Sequence, residues 1–331
     1  MQHRRFLDIA GAGLASALCA FATTNPSAAQ IATAQFPERP ITLIMPWPAG
    51  SSADQVTRAM AEVVGKRFGQ PVVVDNRVGG AGTIGPATMA ATAKPDGYTI
   101  SHIPANVFRF PSLQKTSYDP ARDFTYIIQL SGWTLATAVL ADGPFKTWAD
   151  VIAFARANPG KFTYATPGQA SQPHLGMEEI AAREGVQLTA VPLARSGEAH
   201  AALLGGHVMM TAESTSIRSL VDAGKLRVLN VWGEQRLAIW PDVPTLQELG
   251  YPFVFDILYG LAGPKGMNPS IVEKLHDAFK EALGHPNVQA VMAKYDQVPR
   301  YLNSADYTAS VPTIIARERA VLARLGLLRK D

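Results

Sequence analysis

The sequence predicts an α/β protein in two domains, with a parallel sheet covered by helices in the first. Three observations carry this. Apolar runs of strand length alternate with amphipathic segments across short turns from 41 to 103, the pattern of parallel strands joined by crossover helices. The same rhythm resumes after Trp148. The 331 residues, less an export signal, suit two domains at roughly 100–200 residues each. An apolar fraction of 47% with 17% charged residues describes a folded globular chain rather than a disordered or membrane-embedded one.

The first strand is Ile41 to Met45, ending in the turn Pro46-Trp47-Pro48-Ala49-Gly50-Ser51-Ser52-Ala53. A helix runs from Asp54 to Phe68, with Val56, Ala59, Met60, Val63, Val64 and Phe68 on one face. Gly69-Gln70-Pro71 stops it, and Val72 to Val74 reads as a second buried strand. A glycine-rich turn, Asn76 to Gly82, leads to a small-residue helix over 83–93, and Tyr98 to Ile103 is the third strand. Extended segments follow at Tyr126 to Leu130 and Ala136 to Leu140, then a helix from Trp148 to Asn158 ended by Pro159-Gly160. Phe162 to Ala165 is a strand, Thr166 to Pro173 a small-residue loop, and a helix and the strand Thr189 to Pro192 follow. Beyond the loop Leu193 to Gly197 come a helix, a strand at Val208 to Thr211, a helix at Ser216 to Ala223 and a strand at Arg227 to Trp232. Phe253 to Leu261 is extended, and from Ser270 the pattern is mostly helical, with Ile271, Leu275, Ala278, Phe279 and Leu283 on one face.

The N-terminus reads as an export signal over 1–29: Arg4-Arg5, an apolar stretch from Ile9 to Ala22, and Ser27-Ala28-Ala29 as a small-residue cleavage site. Arg4-Arg5-Phe6-Leu7 also fits a twin-arginine signal, but paired arginines are common in Sec signals, and Sec is the expected route. No later run approaches the roughly 20 apolar residues of a membrane span. The single cysteine, Cys19, falls inside the signal, so the mature chain is expected to have no thiol chemistry, disulfide or cysteine metal site. Removing Arg4, Arg5 and Asp8 takes the formal charge from +3 to +2, too mild for a nucleic-acid partner.

The first turn is the chemical focus. A strand ending in small residues at a helix start leaves backbone N–H groups pointing outward at the positive end of the helix dipole, an anion site open to phosphate, nucleotide or carboxylate. Asp54 is expected chiefly to cap the helix and hold the loop, since a carboxylate would repel an anion. Gly80-Ala81-Gly82-Thr83-Ile84-Gly85 matches GxGxxG, but it follows the second strand, lacks the acidic residue about 20 positions on, and sits in an exported chain. Its glycines still allow close backbone approach. No Gly-x-Ser-x-Gly presents Ser51 as a nucleophile, and no histidine pair has zinc spacing. Histidines here are more often packing residues; His174, after the loop Thr166-Pro167-Gly168-Gln169-Ala170-Ser171, is the exception. Trp47, Trp133 and Tyr259 either line a cleft or pack. Arg195 is a solvated surface charge or a bidentate carboxylate clamp.

These residues resemble the periplasmic solute-binding receptors of tripartite tricarboxylate transporters, the Bug-type receptors. The resemblance rests on Phe36-Pro37-Glu38-Arg39-Pro40-Ile41, Pro46 to Gly50 with Asp54, Gly69 to Arg77, Gly79 to Gly85, Pro95-Asp96-Gly97-Tyr98-Thr99 and Tyr118-Asp119-Pro120 with Asp123-Phe124. It continues through Asn158-Pro159-Gly160-Lys161, His174-Leu175, Leu203 to Gly206, Ala223 to Leu226, Pro241 to Thr245 and Gly260-Leu261, in order over essentially the whole mature chain.

The resemblance implies a two-lobed periplasmic binding protein fold of the Venus-flytrap, type II-like kind, with two hinge crossings. Lobe 1 would be residues 36–134 plus 255–331, and lobe 2 residues 135–254. It further implies a ligand carboxylate held in the first lobe by Ala49, Gly50, Ser51 and Ser52 with Gly80, Ala81 and Gly82, and read in the second by Thr166, Gly168, Ser171 and His174. With Trp47, Asp54 and Arg195 these are the candidate ligand-binding residues. The expected function is periplasmic capture of a small organic carboxylate by a monomer serving membrane subunits of a tripartite tricarboxylate-type transporter. No catalytic residue, metal or cofactor is expected. A sensor for a membrane signalling partner and an exported enzyme on the same scaffold are the alternatives. The departures are Ser51-Ser52 for a common double glycine, Trp47 for phenylalanine, Leu193-Ala194-Arg195 for Tyr-Lys-Gly, Met209 for aspartate and Tyr259 for tryptophan. Leu193-Ala194-Arg195 and Met209 fall in the second lobe, which is expected to select the ligand.

Overall fold

Strand β1 (Ile41–Met45) is buried along nearly its whole length and pairs in parallel with β2 (Val72–Asn76) on one side and β3 (Thr99–Pro104) on the other. The computed structural model describes residues 36–169, 171–193 and 196–329. The expected signal over 1–29, with Arg4, Arg5 and Cys19, and the candidate Arg195 lie outside the described residues. All elements below belong to the unit that begins at Pro37.

Helix α1 spans Ser52–Phe68, two residues earlier than its sequence pattern indicates. Its N-cap is Ser51, whose Oγ accepts from the Asp54 amide at 3.3 Å; Asp54 is therefore the third helical residue and not the cap. Gly69, at φ +64°, ends the helix in the left-handed conformation that glycine adopts without steric penalty. β2 is not a buried strand: it pairs only with β1, so it is an edge, and Val73 is 51% exposed. Helix α2 (Ile84–Thr92) precedes β3, and α3 (Asn106–Leu113), not anticipated from the sequence, follows it.

The two extended segments read near 126–140 form one strand, β4 (Phe124–Leu140). Then come α4 (Trp148–Ala157), β5 (Phe162–Thr166), α5 (Gln172–Glu184), β6 (Leu188–Pro192), α6 (Ser196–Leu204) and β7 (Met210–Ser214), which starts two residues later than expected. α7 (Arg218–Asp222), β8 (Leu226–Val231) and β9 (Asp256–Pro264) follow. The C-terminal stretch holds α8 (Pro269–Gly284), α9 (Pro286–Lys294) and α10 (Ser304–Arg324). Between the last two lies a strand, β10 (Gln297–Leu302), where the sequence reads as helix.

The strand order is β2-β1-β3-β9-β4-β7-β5-β6, with β8 and β10 also paired to β4. β4 pairs antiparallel with β9 as far as Thr134 and with β7 from Leu135 onward, so one strand serves two sheets. Among the described strands, β1–β2, β1–β3, β5–β6 and β5–β7 pair in parallel, and a single parallel bridge joins Val231 to Thr245. The result is a two-lobed α/β fold with helices flanking each sheet.

Each sheet has its own core. Ile44, Phe108, Phe124, Tyr126 and Tyr307 pack beside one; Phe162, Tyr164, Met177, Ile180 and Trp232 pack beside the other. A Cβ at Gly176 would lie 2.3 Å from Trp232 Cζ3, so only glycine lets α5 sit this close to the indole. Arg109 Nε donates to Glu318 Oε2 at 2.7 Å, a buried ion pair joining α3 to α10. Such a pair adds little net stability, but removing one partner would strand a buried charge.

Candidate ligand-binding cleft

A cavity of about 440 Å³ opens between the two sheets, within the range of small-molecule sites. Its walls come from the β1–α1 loop, β3 and α3 on one side and from the starts of α5 and α6 and the end of β7 on the other. Trp133 on β4 and Ile257, Leu258 and Tyr259 on β9 form its apolar back wall.

Ser52, Asn106, Gln172 and Ser196 all line this cavity, and each is the first residue of a helix: α1, α3, α5 and α6. Four helix N-termini therefore converge on one space, and their positive dipole ends favour an anion there. In α1 the Ser51 amide donates to Pro48 O (3.2 Å) and the Gly50 amide to Asp54 Oδ2 (2.8 Å). The amides of Ser52 and Ala53 find no acceptor among the described residues and are the donors left for a ligand.

The structure brings some sequence-derived candidates to the cavity and leaves others beside it. Trp47, Ser51, Ser52 and Ser171 line it; Ser171 is the N-cap of α5, its Oγ accepting from the His174 amide. Ala49 and Gly50 are exposed on the loop outside it. Asp54 lies beneath the loop at 1% exposure, where its carboxylate accepts from Gly50, Arg58 and Asn76. Gly80, Ala81 and Gly82 do not line the cavity but support what does. The Trp47 ring lies against Gly82, where a Cβ would stand 3.0 Å from its Cη2, and Ala81 O accepts from Asn106 Nδ2 at 2.7 Å. Thr166, fully buried, donates its hydroxyl to Gly168 O, and neither residue reaches the cavity. His174 sits in the first turn of α5, its Nε2 3.8 Å from Glu178 Oε1, also outside the lining.

Several lining residues were not legible as site residues. His102 is fully buried and stacks on Tyr259, ring centroids 4.5 Å apart. Burial pushes its pKa down to about 3, so it is a neutral imidazole, and neither ring nitrogen has a partner among the described residues. Arg109 lines the cavity while paired with Glu318. Glu213, at the second sheet, is 3% exposed, and burial raises its carboxyl above the usual range. Among the described residues, no group of three or more His, Cys, Asp or Glu side chains could hold a metal ion, and no helix is long and apolar enough to cross a membrane.

The model of the tripartite tricarboxylate transporter family receptor matches residues 56–327. The chain belongs to this receptor family. The receptor is 44% identical over 329 residues to the "UPF0065 protein in gbd 5'region" of Cupriavidus necator, covering 99% of each chain. Among solved structures it is similar to Rhodopseudomonas palustris Rpa4515 with adipate, at 28% identity and a TM-score of 0.78, covering 88% of this chain and 98% of that one. It is also similar to MatC of R. palustris with bound malate, at 25% identity and a TM-score of 0.74, covering 87% and 100%. Family and fold are those of periplasmic solute-binding proteins.

Proposed function

We propose that this receptor captures a small organic carboxylate in the cleft and presents it in the periplasm, as a monomer, to membrane subunits of a tripartite tricarboxylate-type transporter. The convergence of four helix N-termini on a cavity walled by Trp47, Trp133 and Tyr259 carries the reading. A carboxylate at the Ser52 and Ala53 amides would take charge-assisted hydrogen bonds while its body packs on the aromatic wall. Gly50 and Asp54 shape the loop, Gly82 lies against Trp47, and Ala81 holds Asn106. The adipate and malate held by the two similar structures support the same ligand class.

The lobes on this reading are 36–134 with 255–331, and 135–254; the change of partners along β4 between Thr134 and Leu135 supports that division. Ligand contacts from both sides would favour the closed state, the form that engages the transporter. Thermal-shift measurements against mono-, di- and aromatic carboxylates test the proposal. A ligand at ~100 times its dissociation constant stabilises by about 2.7 kcal/mol, a readily measured rise in Tm. Stabilisation by neutral sugars and by no carboxylate would defeat it.

A further inference from the structure

Glu213 ends β7 and lines the cavity from the sheet opposite the β1–α1 loop. Its two oxygens are treated differently. Oε1 accepts from the Ser214 amide at 2.8 Å and the Ser214 hydroxyl at 3.1 Å, whereas Oε2 is buried with no partner. Among the described residues Glu213 forms no ion pair, although it is 3% exposed. An ionised carboxylate there would be a buried, unbalanced charge facing an acidic ligand, which is strongly unfavourable. A protonated carboxyl with its hydrogen on Oε2 resolves both problems: Oε1 keeps its donors, and Oε2 becomes a donor in need of an acceptor.

We propose that Glu213 acts as a neutral carboxylic acid whose Oε2–H donates to an oxygen at the ligand end remote from the β1–α1 loop, so that the preferred ligands are acids with a second oxygen acceptor at that end. This rests on the carboxylate reading above. Burial drives the Glu213 pKa upward against the lowering effect of its bonds from Ser214 and of the nearby Ser196 hydroxyl, which agrees with the neutral form. Nearby Ser196 and Ser214 also line the cavity, so among the described residues the immediate neighbours of the remote end are hydroxyls.

Calorimetric titration of the wild type, E213Q and E213L with two matched series tests this. One is adipate, hexanoate and 5-aminopentanoate; the other is terephthalate, 4-methylbenzoate and 4-(aminomethyl)benzoate. Within each, only the remote group changes, from carboxylate to methyl to ammonium. The wild type is expected to prefer the dicarboxylate of at least one series over its methyl analogue by about tenfold or more. E213Q, whose amide N–H can replace the O–H, keeps that preference within about threefold. E213L loses it while still binding the methyl analogue, which separates this role from the first carboxylate site. A preference for the ammonium acid that E213Q abolishes would overturn the proposal, since Glu213 would then act as an anion. An undiminished dicarboxylate preference in E213L would overturn it too. Binding of no acid by the wild type would overturn the carboxylate reading itself. Should E213L not fold, loss of the preference in folded E213Q refutes the proposal and its retention supports it.

Discussion

The amide of Gly50 donates to Asp54 Oδ2 at 2.8 Å, fastening the tip of the β1–α1 loop to the first turn of the helix it precedes. Arg58 Nε (2.9 Å) and Asn76 Nδ2 (2.8 Å) complete the shell around the same carboxylate. Asp54 is thus a clasp under the loop, and the amides just beyond it, of Ser52 and Ala53, are the ones without an acceptor among the described residues.

Burial alone would raise the Asp54 pKa, but the bonds from Arg58, Asn76 and Gly50 outweigh it and hold the group below 3.8. A carboxyl lowered in the folded state stabilises above its unfolded pKa, and that stabilisation disappears as pH falls through the folded value. Asp54→Asn should therefore cost about 1–3 kcal/mol at pH 7, with the gap to wild type narrowing below pH 3.8. Urea melts at pH 7 and pH 3 measure it. A gap that does not change with pH would mean the charge contributes nothing.

Ser52 is the first residue of α1 and offers an unpaired amide to the cavity. Proline suits this helical position, where its missing N–H breaks no internal bond. Ser52→Pro should leave the melting temperature unchanged or higher while weakening carboxylate binding about 10- to 100-fold, the loss expected for one hydrogen bond to a charged group. Undiminished affinity in the folded variant would remove the β1–α1 loop from the site.

His102 is buried as neutral imidazole with its pKa lowered from 6.5 to about 3. Between those values the unfolded chain binds a proton that the folded chain does not, so the histidine's contribution falls as pH is lowered through this window. Glu213, shifted the other way, has the opposite slope above 4.5, so wild-type stability alone would blur the effect. The difference between wild type and His102→Gln isolates it. Well below pH 6.5 the variant should gain on wild type by about 1.4 kcal/mol per pH unit. Parallel stability curves from pH 7 to pH 4.5 would contradict a neutral buried ring.

Gly82 has φ +90°, and an added Cβ would lie 3.0 Å from Trp47 Cη2 and 3.2 Å from Pro104 Cγ. Gly82→Ala should cost about 1–2 kcal/mol in backbone strain alone. It should also weaken acid binding by displacing the Trp47 wall, measured by urea unfolding and by titration with adipate. Wild-type values in both assays would show that the tryptophan is not set by this glycine.

Much of this arrangement was legible in the sequence because the signals are local. The alternation from Ile41 to Ile103 gives the β1–α1–β2–α2–β3 unit, and the turn before α1 is visible as small residues at a helix start. What stayed hidden depends on tertiary partners. α3 is only eight residues long and carries Pro111 inside it, a residue that reads as a helix break. β10 contains Pro299 and exists because β4 offers it an antiparallel partner. Val72 to Val74 is apolar enough for a buried strand, yet its place at the sheet edge is a property of strand order. The same holds within the cleft. His102 on a buried strand reads as packing, and only the fold shows that it lines a cavity with both nitrogens unpartnered. Glu213 in Met-Thr-Ala-Glu-Ser carries no motif at all.

The sharing of β4 has a mechanical consequence. One continuous strand carries the pairing with β9 and β10 and then the pairing with β7 and β8, so the two sheets are tied together at Thr134–Leu135 by the backbone itself. Each half keeps its own segment of β4, but melting either half unpins that segment's end at Thr134–Leu135 and lets the neighbouring hydrogen bonds fray. Unfolding of the two halves is therefore coupled through that junction, even though each has a separate core.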